Sequence, residues 1–349
     1  MLNLNNDPST IRILSLDGGG MRGIFSMTGL NSIIEQASLP QNGLHTVFDI
    51  ITGTSIGGIA SLALSTGLTA NYVKQILIEK GPLIFDASLV PFIGQQHASW
   101  TDKVAFILGL EPSLYKNDIL HQEMVEIFGQ RKMGDITGCT LIVPSVKYTY
   151  QIGAGDVFPR NQESASYFSN KNLQGLTGQD FLISDVAMAT SAAPMYLPPW
   201  TIGADTYLDG GLLQNNMGAF AFSLAAQIKP KATKAVVLSI GTGLGNIGVA
   251  RNRQATDASS MPAGYELLLD AMSLAIALPQ ESSEHMLRNF ANGAGITMYH
   301  YRFNKVLDPS VDCELDSTDD EAISYLQDEA NATLSADQEE IQLFAQHLK

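Results

Sequence analysis

Apolar positions along this chain fall into two alternating kinds of block. Short unbroken runs predict buried strands: Arg12-Ile13-Leu14-Ser15-Leu16, Val47-Phe48-Asp49-Ile50-Ile51, Leu141-Ile142-Val143 and Ala235-Val236-Val237-Leu238-Ser239-Ile240. Between them lie stretches with helical spacing. Met27, Leu30, Ile33 and Ile34 mark one helix, and the small apolar stretch from Gly58 to Leu64 marks a second, buried one. Residues 71–80 continue as helix. Asn117 reads as the N-cap of a helix that buries Ile119, Leu120, Met124, Ile127 and Phe128. Residues 185–193 predict a short helix stopped by Pro194, and residues 219–228 another.

Three stretches depart from this alternation. Residues 161–178 are rich in Ser, Asn and Gly and predict a loop. Residues 81–110 are aromatic and aliphatic with few charges, which suits either plain core or a cap with apolar surface meant for lipid. Residues 265–278 are apolar nearly all round and predict a helix that is buried or covered by a partner. Near the C-terminus, Thr318-x-x-Glu321 and Ser335-x-x-Gln338 read as capping boxes, each opening an amphipathic helix. No internal repeat is evident. The expected fold is α/β, a mixed, mainly parallel central sheet flanked by helices, with a helical C-terminal addition. Residues 1–305 are expected to form the catalytic domain, with 306–349 an acidic helical extension packed on or beside it.

Charge changes the picture in one respect. The net charge is -15, but residues 308–349 hold 12 Asp and Glu against one Lys, so the acidity belongs to the tail. The tail reads as a solvated helix face. The remainder of the chain carries only about -4 and is not strongly acidic. No cluster of Lys and Arg exists to neutralise phosphates, so nucleic acid is not an expected partner. The first ten residues lack the basic and apolar regions of a signal peptide, and no run of about 20 residues is apolar enough to span a bilayer. The two cysteines, Cys139 and Cys313, are far apart, which suggests a reducing compartment. The expectation is a soluble protein.

The candidate chemistry begins at Gly53-Thr54-Ser55-Ile56-Gly57, where an apolar run meets a buried helix. Strand, sharp turn and helix form the context of a nucleophile elbow, and Ser55 is the candidate nucleophile. The glycines at 53 and 57 keep Cβ atoms out of a crowded turn. The bare pentapeptide is equally compatible with a structural turn. Upstream, Gly18, Gly19 and Gly20 close the first strand and lead into a helix N-terminus. Such a nest of amides suits an oxyanion hole, each donor contributing on the order of 3 kcal/mol in the transition state. A glycine-rich turn built only for close packing is the alternative. A phosphate loop is disfavoured, because no Gly-Lys-Ser/Thr follows and Arg22 is a poor substitute. Asp209, at a strand end before Gly210 and Gly211, sits where open α/β sheets place ligands. It is a candidate base once burial raises its ordinary pKa of about 3.9, or else the first residue of an ordinary turn.

Taken together, Asp17-Gly18-Gly19-Gly20-Met21-Arg22-Gly23, the Ser55 pentapeptide, Asp185 to Pro194, Asp209-Gly210-Gly211 and Ser239-Ile240-Gly241-Thr242-Gly243 resemble the patatin-like phospholipases of bacterial type. The pieces occur in that family's order across roughly residues 11–243. The resemblance implies a Ser55–Asp209 dyad and an oxyanion hole from the backbone of Gly18, Gly19 and Gly20, with Arg22, Gly53, Gly57 and Gly210 in support. It also implies calcium-independent hydrolysis of membrane phospholipid esters without a metal or other cofactor. The chain is expected in the cytoplasm, peripheral at membranes, or delivered as an effector without a signal peptide. Bacterial members include effectors switched on by a host factor or a small nucleotide, so an activating protein or nucleotide is an expected partner. Residues 81–110 are the expected cover of the dyad at rest. The chain departs from the family at Asn215-Asn216-Met217, where proline often follows the paired asparagines. Beyond about residue 305 the match is weak, and the acidic tail inherits nothing from it.

Two other readings compete. One is a Ser-His-Asp esterase drawing its histidine from His285, His300 or His347. The other is a non-catalytic, nucleotide-regulated module built on Gly241-Thr242-Gly243-Leu244-Gly245, whose spacing is not that of a dinucleotide fingerprint.

Overall fold

The computed structural model describes residues 7–86, 113, 115–151, 160–173, 175–244, 280–308 and 310–348. Its strands are β1 (Thr10–Leu16), β2 (Ile50–Gly53), β3 (Thr140–Gln151), β4 (Arg160–Ser169), β5 (Trp200–Ile202), β6 (Asp205–Asp209), β7 (Lys234–Ile240) and β8 (Thr297–Phe303). The helices are α1 (Gly23–Gln36), α2 (Ile56–Ser65), α3 (Ala70–Ile84), α4 (Asp118–Phe128), α5 (Ile183–Ser191), α6 (Gly218–Ser223) and α7 (Ala225–Ile228). Then come helical residues 280–294 (α8), α9 (Asp320–Ala336) and α10 (Gln338–Leu348).

Among the described residues the strands join one sheet in the order β5-β6-β3-β2-β1-β7-β8, with β4 paired to β3. β3, β2, β1, β7 and β8 run parallel. The long β3 outruns its parallel partner β2 and is flanked there by antiparallel β4 and β6. This is the mixed, mainly parallel sheet flanked by helices that the apolar pattern predicts. β1 is buried along its whole length because both its faces are covered, which is why it reads as a run and not as an alternation. Leu14 and Leu16 join the larger core with α1 to α5, α9 and α10. Ile11 and Ile13 point the other way, into a smaller core with α6, α7 and α8. The tail helices pack against α1 through Ile323, Leu326, Ala330, Ile341 and Phe344.

Several local expectations are corrected. Residues 160–169 form β4, not a loop, because ten residues of β3 offer it an antiparallel edge that its polar composition does not advertise. β8 carries no apolar run, being an edge strand with half-exposed aromatic and polar residues (TMYHYRF). The predicted helix over 219–228 breaks into α6 and α7 at Leu224. Asn117 stands at the N-cap of α4 without accepting a side-chain hydrogen bond. Asp319, not Thr318, caps α9 by accepting from the Ala322 N–H at 2.9 Å. Ser335 lies inside α9 and donates back to the Asn331 carbonyl, so it opens no helix. The predicted helix over 265–278 and residues 87–110 of the expected cap lie outside the described residues. Among the described residues, no helix is long and apolar enough to cross a membrane.

Candidate active site

Ser55 stands between β2 and α2 with φ 55° and ψ -125°, a left-handed backbone that a residue with a Cβ rarely adopts. Such a conformation costs on the order of 1–3 kcal/mol and persists only where its surroundings impose it. Here they do. The Ser55 N–H donates to Thr190 Oγ1 (3.1 Å), whose hydroxyl donates to the Pro144 carbonyl (2.7 Å). Thr54 N–H donates to the Leu16 carbonyl, and Thr54 Oγ1 to the Gln214 carbonyl at 2.8 Å. The first turn of α2 presses on the end of β1, so closely that a Cβ at Gly57 would collide with the Leu16 carbonyl oxygen. The elbow therefore presents Ser55 at the positive end of a buried helix dipole, where negative charge on oxygen is favoured.

Asp209 ends β6, and its side chain is buried, only 3% exposed. One carboxylate oxygen accepts the Gly211 N–H at 2.6 Å, and the carboxylate lines the same cavity as Ser55. Burial pushes the Asp209 carboxyl up to about 6, against the Gly211 amide and the Ser55 hydroxyl, which favour the ionised form. Two side chains from distant parts of the chain thus line one cavity, and the carboxyl that shares it with the serine is tuned toward neutrality. Gly210 supports this turn by leaving room for the Pro144 carbonyl.

The glycine loop leans over the same cavity, but its three amides are not equivalent. Gly18 N–H donates to Asn215 Oδ1 (2.9 Å), and the Gly18 carbonyl accepts from Thr242 Oγ1 (2.9 Å) and Asn215 Nδ2 (3.3 Å). The Gly18 amide is therefore spoken for, which removes it from the three expected donors. Among the described residues, no acceptor is paired with the Gly19, Gly20 or Ile56 N–H. Gly20 adopts φ +55°, and a Cβ there would collide with the Leu315 carbonyl, the group that accepts the Met21 N–H at 2.8 Å. Arg22 closes the turn with its N–H to the Gly19 carbonyl. Burial lowers its pKa while the nearby Cys313 and Glu314 oppose that, so its charge faces the C-terminal segment. The tail is thus part of the wall.

Asn215 is a candidate site residue to which sequence reasoning gave no role. Its only signal was the Asn-Asn pair after Asp209-Gly210-Gly211. Fully buried and holding both polar groups of Gly18, it repays a direct test. Asn215→Ala is expected to cost about 2 kcal/mol of stability, because it orphans buried donors and acceptors. It should also slow any turnover at Ser55 by about tenfold. Chemical denaturation beside a steady-state assay checks both.

The cavity has a volume of about 80 Å³ and joins Ser55, Asp209 and the loop to an almost wholly apolar wall of Met21, Ile59, Leu77, Phe85, Leu120 and Leu197. A second apolar cavity of about 40 Å³ shares Ile56, Ile59, Leu77, Ile84 and Leu120 with it and runs between α2, α3 and α4 toward Phe128. No described histidine lines either cavity. His300 faces Glu284 at 3.0 Å, His347 stacks on Tyr299, and His285 is exposed. Gly241-Thr242-Gly243 serves packing, with Thr242 holding Gly18 and a Cβ at Gly241 colliding with Asn304. No group of three His, Cys, Asp or Glu suited to a metal occurs among the described residues.

A family model described as Patatin, patatin-like phospholipase, matches residues 14–222. Calcium-independent phospholipase A2-gamma of Mus musculus is 26% identical over 321 residues, covering 91% of this chain and 37% of that protein. The cGAMP-activated phospholipase of Pseudomonas aeruginosa (strain BWHPSA011 / Pa011) is 28% identical over 282 residues, 80% of this chain and 75% of its own length. The protein of the same name from Vibrio cholerae is 32% identical over 215 residues, 59% of this chain and 55% of its own. VipD from Legionella pneumophila superposes with a TM-score of 0.39 at 12% identity, over 93% of this chain and 67% of that one. The chain spans 28% to 40% of the length of its phospholipase A2-gamma relatives.

Proposed function

Because the chain belongs to the patatin-like phospholipase family, we propose that it is a lipid acyl hydrolase of phospholipase A type, with Ser55 as nucleophile and Asp209 as its base. The observation that carries this reading is the convergence of Ser55, held on a strained turn, and the buried Asp209 carboxylate at the head of one apolar cavity. In the first step the Ser55 hydroxyl gives its proton to Asp209 while Oγ bonds to the ester carbonyl carbon. The carbonyl oxygen becomes an oxyanion, stabilised by the Gly19 and Gly20 N–H groups and the N-terminus of α2. Asp209 then returns the proton to the departing alcohol oxygen, leaving an acyl-enzyme. Water attacks that ester, gives a proton to Asp209, and the fatty acid leaves as Ser55 recovers it. A carboxyl near 6 is matched to this shuttle, since it both accepts and releases a proton close to neutral pH.

No step in this shuttle needs a cation, and calcium independence is part of the proposal, supported by the name of the A2-gamma relatives. The substrate is a membrane glycerophospholipid reached by peripheral contact. A small nucleotide is proposed as activator, on the strength of the two relatives named as cGAMP-activated. The experiment that tests the reading is a lipid-class profile of the wild type against Ser55→Ala, with the acyl position of each product determined. An identical profile for both proteins ends it.

The apolar cavities are proposed to hold the acyl chain. Ile59 lines both of them. Ile59→Trp is expected to cut kcat/KM for long-chain esters about tenfold or more while changing that for acetyl and butyryl esters less than about threefold. A chain-length series of nitrophenyl esters reads this directly, and a uniform loss across the series removes the acyl chain from these cavities.

A further inference from the structure

Glycines offer no side chains by which a loop can be held, so the aim of the Gly19 and Gly20 amides depends on what grips the residues beside them. On the C-terminal side the Met21 N–H is held by the Leu315 carbonyl. On the N-terminal side Asn215 and Thr242 hold the backbone of Gly18, and beyond it stands Asp17, whose backbone N–H donates to the Ile240 carbonyl and whose carboxylate is buried. That carboxylate meets Arg302 of β8, a strand some 80 residues beyond the matched family segment. Tyr301 and Phe303 pack into the larger core, so Arg302 projects from the opposite face of the sheet. There Arg302 Nη2 lies 2.5 Å from Asp17 Oδ2 and 3.2 Å from Gln280 Oε1, and Nη1 donates to Ser239 Oγ at 2.9 Å. Glu284 Oε1 is 3.8 Å from Arg302 Nε. Ser15, Ser239 and Arg302 are register neighbours across β1, β7 and β8, which brings the guanidinium to the end of β1.

A buried ion pair is a poor source of stability, since well-packed apolar groups of equal volume commonly do as well or better. Its value lies in geometry: a guanidinium fork holds a carboxylate in one orientation. We propose that Arg302 is a positioning residue, which grips Asp17 and so keeps the Gly19 and Gly20 amides aimed at the carbonyl oxygen of an ester bound at Ser55. The assignment rests on Ser55 being the nucleophile. It places part of the oxyanion machinery outside the motifs that define the site, on the far face of the sheet.

The test uses Arg302→Met, which keeps length without charge, Arg302→Lys, which keeps charge without the fork, and Asp17→Asn. With a short soluble ester, Arg302→Met is expected to lower kcat by about 30- to 100-fold with KM changed less than about twofold, and Arg302→Lys to recover about tenfold of that loss. Asp17→Asn should act in the same direction as Arg302→Met. Hydrogen exchange across residues 16–24, where Gly18, Met21 and Arg22 N–H are bonded in the wild type, should quicken about tenfold in Arg302→Met while the β2–β3 amides keep their protection. Folded variants with unchanged kcat and exchange overturn the proposal. So does loss of cooperative unfolding in all three, which assigns the pair to the fold alone. A wild type that turns over no ester sinks the hydrolase reading instead, and the exchange measurement then decides the grip on the loop by itself.

Discussion

Ser55→Ala is expected to abolish ester hydrolysis, with kcat down by on the order of 10³-fold or more and the fold intact. Only the Oγ is lost, and no backbone contact of the elbow runs through it: the Ser55 N–H keeps its bond to Thr190, and Thr54 keeps its bonds to Leu16 and Gln214. The alanine still carries a Cβ at φ 55°, so the strain stays. Ser55→Gly separates the two roles. It removes the nucleophile and also the steric cost of the left-handed backbone, and is expected to gain about 1 kcal/mol in stability over Ser55→Ala. Activity assays together with urea unfolding of the three proteins measure both effects. A folded alanine variant that still turns over lipid at the wild-type rate removes Ser55 from the chemistry.

Asp209→Asn should lower kcat by at least about 100-fold, because an amide cannot take the serine proton. The same substitution is expected to stabilise the protein, and the sign follows from the pKa. The carboxyl rises from about 3.9 in the unfolded chain to about 6 in the fold. Between these values the native state binds more protons than the unfolded one, so this group's contribution to stability falls as pH rises from 4 to 6. Above pH 6 the penalty is constant, and a shift of two units sets its scale at about 3 kcal/mol. The amide removes that penalty while its side-chain oxygen can still accept the Gly211 N–H. The variant should therefore be more stable than wild type by about 1–3 kcal/mol at pH 8, and no more stable at pH 4. Asp17 is also raised to about 6 by burial, so the comparison has to be made between variant and wild type at each pH and not from the wild-type curve alone. In the wild type, kcat/KM should fall on the acid side near pH 6. An Asp209→Asn variant with normal turnover, or one less stable than wild type at pH 8, contradicts the assignment of Asp209 as a buried base whose pKa burial raises.

The elements legible in the sequence are those whose cause is local or whose two faces are both covered. β1, β2 and β7 show as apolar runs because helices cover the sheet on each side. The turn at Ser55 is written in five residues, since a serine at φ 55° needs small neighbours against β1. β4 and β8 were not legible. One is a polar strand made by pairing with β3, and the other is a half-exposed edge, so neither has a burial pattern of its own.

Site residues divide the same way. Ser55, Asp209 and the three glycines are visible because each sits at a strand end with a distinctive turn. Which amides remain free is another matter. Gly18 is indistinguishable from Gly19 and Gly20 in sequence, and Asn215, nearly two hundred positions away, takes its N–H. Leu315 reaches the cavity wall from a tail whose composition promises only solvated helix.

The amino-acid order alone thus dictated the layered α/β arrangement and the candidate groups, because periodicity, glycine sterics and turn chemistry act over a few residues. Which of those groups meet, which amides are left unpaired, and how far burial raises Asp209 were settled by contacts between β6, α2, β8 and the C-terminal segment. Desolvation and hydrogen-bond pairing belong to a place in the folded molecule, and no single stretch of chain contains them.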